Sequence, residues 1–220
     1  MASGVLRTPA VIAAFETIDR ADFVPAALRG QAYINEPLPI GFGQTVSQPW
    51  TVAFMLEKLQ PQIGQRVLDI GSGSGWQTAL LAHIVGPPAS SALPRGRPNR
   101  GEPVSGGKAI GLELVPELCQ TSRQNIAPYN FLRRGAAEIH CLNATKGFPA
   151  AAPFDRIISA AAAPEIPSFW LEQLKVGGRL VAPVDSTIVL VRKLAPDKFE
   201  REIFPGFAFV PFVADEKNEN

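Results

Sequence analysis

Residues 66–81, RVLDIGSGSGWQTALL, constrain the fold of this chain more than any other stretch. Val67, Leu68 and Ile70 form a short apolar run, Gly71 to Gly75 a glycine-rich turn, and residues 76–85 a helical pattern. A buried strand feeding such a turn and then a helix builds a nucleotide pocket. Small residues admit a ligand to the backbone, and the free N–H groups of the helix start point at it.

The chain downstream repeats the theme. Strand candidates lie at 66–70, 109–112, 138–142, 155–159 and 179–183, with helix candidates at 76–85, 116–127 and 164–174 between them. Short apolar runs alternating with helical patterns predict an α/β fold: a doubly wound, mostly parallel sheet covered on both faces. Residues 187–193 and 198–204 are strand-like and joined by a short Ala-Pro-Asp turn, which predicts an antiparallel hairpin near one edge. Upstream, Val11, Ile12, Phe15 and Ile18 share one stripe of a helix over 8–18, with Thr8 and Pro9 as its cap and first turn. Residues 22–42, with Pro25, Pro37 and Pro39, read as irregular, and 48–59 as a helix capped by Ser47 with Pro49 in its first turn.

At 220 residues the chain suits one domain, with 1–60 as a helical lid region and 61–215 as the cofactor-binding core. Residues 87–107, rich in Pro, Gly and Ser, read as a long mobile loop insertion. A formal net charge of +1 gives no field that would make nucleic acid or an anionic membrane the expected partner. The N-terminal stretch has helical spacing among charges and reads as neither a signal peptide nor a spanning helix, so a cytoplasmic location is expected. Cys119 and Cys141 have no His or Cys at ligand spacing. They are expected as reduced, buried thiols, with no metal site.

The glycine spacing selects the nucleotide. Dinucleotide sites need G-x-G-x-x-G, whereas Gly71, Gly73 and Gly75 run G-x-G-x-G and Trp76 stands where the third glycine belongs. The Asp-Ile-Gly-Ser-Gly-Ser-Gly form instead resembles the first motif of class I methyltransferases that use S-adenosylmethionine. Glu113, ending the next strand, is placed to accept from both ribose hydroxyls. Asn143, after the third strand, can accept from an adenine amino group and donate to a ring nitrogen. Ser47 reads equally as a helix cap or as a hydroxyl presented to an anion.

Further segments give a broader likeness: residues 20–25 (RADFVP), 38–49 (LPIGFGQTVSQP), 67–77 (VLDIGSGSGWQ), 153–158 (PFDRII), 162–167 (AAPEIP), 177–184 (GGRLVAPV) and 209–213 (FVPFV). Together they resemble the protein-L-isoaspartate O-methyltransferase family, which methylates abnormal isoaspartyl residues in damaged proteins. The 43–49 segment and the Ala-Pro-Glu-Ile-Pro stretch are the most specific. The resemblance implies Ser47 as the active-site residue, with Thr45 and Val46 closing over the cofactor. Gly71, Ser72, Gly73, Gly75 and Gln77 would lie under the methionine moiety, Glu113 and Leu114 at the ribose, and Asn143 and Ala144 at the adenine. Ile40, Ser47, Ala161, Val210 and Pro211 would meet the substrate. The family usually carries Gly-Asp-Gly where this chain has Leu142-Asn143-Ala144, and Val213 falls where some members have threonine.

The implied reaction matches the residues present. An isoaspartyl carboxylic acid, with a pKa of roughly 4, is ionised at neutral pH and needs no general base. His83 and His140 are the two histidines, and neither lies in an active-site motif. The expectation is an S-adenosylmethionine-dependent enzyme acting on isoaspartyl proteins and peptides, with D-aspartyl residues as further substrates, and working as a monomer. Three alternatives stand beside it: methylation of another carboxylate such as a normal aspartate, a nicotinamide-dependent oxidoreductase, and a silent cofactor-binding module.

Overall fold

A computed structural model describes residues 4–86 and 106–212. The expected loop at 87–107 falls outside the described residues except for Gly106 and Gly107, as do Val213 and the polar residues 215–220.

The chain opens with α1 (Pro9–Thr17) and two short 3₁₀ segments, Arg20–Phe23 and Ala26–Gln31. β1 (Leu38–Gly41) and β2 (Gln44–Val46) follow, then α2 (Pro49–Leu59). The core is β3 (Arg66–Ile70), α3 (Trp76–Val85), β4 (Lys108–Glu113), α4 (Pro116–Ile126), β5 (Ala137–Cys141), β6 (Phe154–Ser159), α5 (Ser168–Glu172), β7 (Leu174–Val184), β8 (Thr187–Ala195) and β9 (Lys198–Pro205).

Seven strands form one sheet in the order β5-β4-β3-β6-β7-β8-β9. The pairs from β5 to β7 are parallel, while β8 lies antiparallel to both β7 and β9. The doubly wound sheet and its edge hairpin are therefore as expected. From β3 the chain winds first to β4 and β5, then returns past β3 to β6. That reversal leaves a crevice beyond the carboxyl ends of β3 and β6, the place where open α/β sheets receive ligands.

Packing explains why the central elements read so clearly. β3 is buried from Val67 to Ile70, as befits a strand covered on both faces. α3 is buried at every residue but His83, since it lies between the sheet and α1, where Trp76 meets Phe15 edge to face at 5.6 Å. One cluster packs Val67, Leu80, Ile158 and Val181 with α1 and α2. The other packs Leu68, Ile70, Phe154 and Trp170 on the opposite face.

Several expectations are corrected. Residues 22–42 are not all irregular: β1 and β2 form a hairpin whose turn places Phe42 at φ 55° and Gly43 at φ 69°. Two successive positive φ values fit the tight turn that follows the strands' twist. Ser47 does not cap α2. Gln48 is the N-cap residue, and the free N–H of Trp50 is taken by Asn35 Oδ1 at 3.0 Å. The helix expected over 164–174 shrinks to Ser168–Glu172, because Pro167 sets its start and Leu174 already belongs to β7. The two cysteines are not free thiols. Cys141, at the end of β5, is bonded to Cys119 in the first turn of α4, with the Cα atoms 5.8 Å apart. Among the described residues, no helix is long and apolar enough to cross a membrane.

Candidate active site

The crevice begins at the glycine turn. Gly71 (φ 75°), Gly73 (φ 53°) and Gly75 (φ 91°) all adopt left-handed conformations. The N–H groups of Gly71 and Ser72 both donate to Leu112 O, at 2.9 and 3.0 Å, which fastens the turn to the end of β4. A Cβ at Gly75 would stand 2.5 Å from Ser122 Oγ, so the turn can lie against α4 only without a side chain there.

Behind the turn, Asp69 is wholly buried. It accepts from Gln77 Nε2 at 2.7 Å and from Thr78 Oγ1 at 2.5 Å. Burial pushes its pKa up to about 6 despite those two donors, and the charge of Glu113 adds to the rise. Gln77, expected at the cofactor, thus spends its amide on holding α3 to β3. Glu113 is buried at the crevice wall, and its two oxygens accept from Gly73 N and Val115 N.

Three connected spaces surround this frame. A narrow crevice of about 80 Å³ is lined by Gly71, Gly73, Glu113, Leu114, Leu142, Ala144, Ala161 and Phe212, among others. A smaller space of about 30 Å³ runs under Val46, Ser72, Ser74, Trp76 and Gln77. An open cleft of about 770 Å³ is bounded by Pro37, Gln48, Trp50, Thr51 and residues 206–211. Thr45 and Ala160 line all three, Ser47 lines the cleft and the small space, and Val210 and Pro211 line the cleft and the crevice.

Distant segments build these walls. Ala160 N donates to Ile70 O at 3.0 Å, bringing the end of β6 beside the glycine turn. Ala162 N donates to Val210 O at 2.9 Å, and Phe212 N to Ala162 O at 2.7 Å, so the C-terminal strap is laid along the 160–163 loop. Trp50, Phe54, Phe204 and Phe207 stack into one aromatic wall, with successive rings 5.1–6.0 Å apart.

Most expected site residues come together here. Ser47 is half-buried, and its hydroxyl makes no hydrogen bond among the described residues. Ile40 reaches over the turn, since a Cβ on Gly73 would meet its Cδ1 at 3.3 Å. Ala161, expected at the substrate, lines the crevice. Asn143 stands behind the crevice lining, with its Oδ1 accepting from Thr145 N at 2.8 Å and Thr145 Oγ1 at 2.5 Å. His83 packs on Phe131 and His140 pairs with Glu138, both outside the lining. Sequence reasoning missed Trp50, Ala160 and Phe207. The repeated phenylalanines after residue 203 are the one pattern that marks an apolar wall.

Comparison with known proteins places the chain. Residues 1–217 match the family described as protein-L-isoaspartate(D-aspartate) O-methyltransferase. A protein-L-isoaspartate O-methyltransferase of Methanopyrus kandleri is 37% identical over 217 residues, covering 97% of this chain and 87% of that protein. The one from Staphylothermus marinus is 42% identical over 216 residues, covering 96% and 89%. A Plasmodium falciparum structure assigned as such an enzyme, in complex with S-adenosyl-L-homocysteine, superposes with a TM-score of 0.79. It shares 24% identity and covers 96% of this chain and 93% of that one. The chain belongs to the protein-L-isoaspartate(D-aspartate) O-methyltransferase family, a family of S-adenosylmethionine-dependent methyltransferases.

Proposed function

We propose that this enzyme methylates the free carboxylate of L-isoaspartyl residues, and of D-aspartyl residues, in damaged polypeptides, with S-adenosylmethionine as donor. One observation carries the reading beyond family membership: a cleft with no charged side chain among its described lining residues and the glycine-turn crevice meet at Thr45 and Ala160, with Ser47 beside them.

The residues fit the donor. The Gly73 position leaves a cradle that a single Cβ would begin to fill against Ile40. Glu113 supplies a carboxylate at the ribose distance along the sheet. The Ser72 hydroxyl, buried beside the small space, has no hydrogen-bond partner among the described residues. Leu114, Leu142 and Ala144 offer an apolar slot for adenine, with Asn143 behind it. S-Adenosylmethionine, when bound, supplies a methyl group on a sulfonium centre.

The remaining roles belong to the chain. Among the described residues that line the cleft none is ionisable, and the reading needs no general base there, since the nucleophile arrives already ionised. Ser47 Oγ donates to one oxygen of the substrate carboxylate and leaves the other aimed at the methyl group. Thr45 and Val46 cover the junction, while Ile40, Ala161, Val210 and Pro211 flank the substrate backbone. Excluding water around two opposite charges that vanish on transfer favours reaction, provided the partners are held in line. Residues 1–60 serve as the lid region and 61–215 as the cofactor core of one domain. The proposal includes a monomer acting in the cytoplasm on polypeptides, with neither nucleic acid nor membrane as partner; a net charge of +1 supports the last two.

Steady-state kinetics of Ser47→Ala on an isoaspartyl peptide test the assignment. Loss of a hydrogen bond to a charged group should lower turnover roughly tenfold to hundredfold while S-adenosylhomocysteine affinity holds. An unchanged turnover would remove Ser47 from the chemistry.

A further inference from the structure

Arg20 is a buried cation that the proposed chemistry leaves unused. It begins the first 3₁₀ segment and is 2% exposed. Its guanidinium donates from Nη1 to Ala32 O at 2.5 Å, and from Nη2 to Glu36 O at 3.0 Å and Ser47 O at 3.1 Å, with Val46 O at 3.5 Å. The same group lies over the Trp76 ring, 5.2 Å from its centroid, at the first residue of α3. Its Nε has no partner among the described residues.

No carboxylate pairs with it among the described residues. The two acids nearest in sequence are engaged elsewhere: Asp19 accepts from Ala21 N and from the Tyr33 hydroxyl, and Asp22 accepts from the Tyr129 hydroxyl at 2.7 Å. Burial lowers the Arg20 pKa to about 10, which still leaves it charged at neutral pH. Burying a guanidinium without a counter-ion is costly, and a Leu or Met would fill the space without that cost. What the fork provides, and an apolar side chain cannot, is a set of donors in fixed directions. Here those donors gather carbonyls from both flanks of the β1–β2 hairpin and stack the assembly on the start of the cofactor helix.

We propose that Arg20 is the positioning residue of the segment that carries Ser47: its guanidinium clamps the backbone of Val46 and Ser47 to the 32–36 segment and so sets where the Ser47 hydroxyl stands. This inference rests on the role given to Ser47 above. Arg20 acts through Ser47, so the two should be coupled.

The test compares Arg20→Lys, which keeps the charge but loses the fork, in the wild-type and Ser47→Ala backgrounds of the full chain. Readouts are kcat and KM for an isoaspartyl peptide, S-adenosylhomocysteine affinity, and amide exchange over residues 44–48. In the wild-type background kcat/KM should fall roughly tenfold, and in the Ser47→Ala background less than about twofold, because the residue being positioned is already gone. Cofactor affinity should stay within about twofold in both, while exchange over 44–48 quickens relative to α3. Arg20→Gln, which loses the charge as well, should fall further than Arg20→Lys and show the same coupling. Equal fold-losses in both backgrounds would overturn the proposal and leave the Ser47 assignment standing. An unaffected rate in Ser47→Ala alone would overturn both. If Arg20→Lys is too unstable to assay for kinetics, exchange over 44–48 no faster than the global rate would overturn the clamp.

Discussion

The Gly73 N–H donates to Glu113 Oε2 at 2.8 Å, which ties the middle of the glycine turn on β3 to the acid that ends β4. The other carboxylate oxygen accepts from Val115 N at 3.0 Å. A carboxylate has about four lone-pair sites, so these two bonds leave room for two ribose hydroxyls. Glu113 therefore shapes the turn and, in the proposed complex, offers the acceptors, so one substitution tests both.

Glu113→Gln replaces one acceptor by a donor that must face either a backbone N–H or a ribose hydroxyl. S-Adenosylhomocysteine should bind roughly tenfold or more weakly, from loss of a hydrogen bond to a charged group. Isothermal calorimetry measures it. Undiminished affinity would place the ribose elsewhere.

Asn143→Asp keeps the acceptor that holds Thr145, so the turn at 143–145 survives. The added charge should tighten S-adenosylhomocysteine binding several-fold, about 1 kcal/mol. Weaker binding would show that the adenine does not approach this residue.

The Cys119–Cys141 bridge closes a loop with a sequence separation of 22 and joins α4 to the strand end opposite Glu113. Loop-closure entropy sets its contribution at about 3 kcal/mol. Thermal unfolding with and without reductant should show a matching loss of stability on reduction. The bridge also bears on location, since reducing compartments keep such pairs as thiols in most organisms. Rapid alkylation of freshly lysed cells followed by mass spectrometry reads the pair directly; two alkylated cysteines would mean that the bridge is absent where the enzyme works.

Asp69 gives a pH signature. Its folded pKa of about 6 lies above the ordinary aspartate value of 3.8, so the native state holds the proton across that interval and the unfolded state does not. Its contribution is fully present below pH 3.8 and is lost as pH rises through 6, on the order of 3 kcal/mol. Glu138 and Asp155, whose pKa values are lowered, contribute in the opposite direction. Denaturant unfolding of wild type and Asp69→Asn separates them. The stability of wild type relative to the variant should shrink between pH 4 and pH 7. A difference independent of pH would refute the buried titration.

What the sequence reveals follows from how local each signal is. β3 and α3 stand where the apolar run and glycine turn put them, because neighbouring residues alone decide that unit. β7 through β9 are legible for the same reason, from alternation and a short turn. The β1–β2 hairpin is hidden, since Pro37 and Pro39 mask its strands and Phe42 takes a left-handed φ that its side chain does not advertise. The disulfide depends on parallel register, Glu113 opposite Cys141, which no local pattern encodes. The cleft walls depend on the bridge between Ala162 and Pro211, 49 positions apart, so Ala160 and Phe207 become site residues only in three dimensions. Ser47 is the reverse case: local pattern leaves it equally a cap or an anion-facing hydroxyl, and the fold gives the first task to Asn35.

The central claim is that the cleft at Ser47 takes an isoaspartyl carboxylate. The direct measurement offers the enzyme paired peptides that differ only in isoaspartate against aspartate, with methyl-labelled S-adenosylmethionine, and counts base-labile label. The account predicts methylation of the isoaspartyl peptide and none above background of its aspartyl twin. Label on the aspartyl peptide alone, or on neither while S-adenosylmethionine binds, would contradict it.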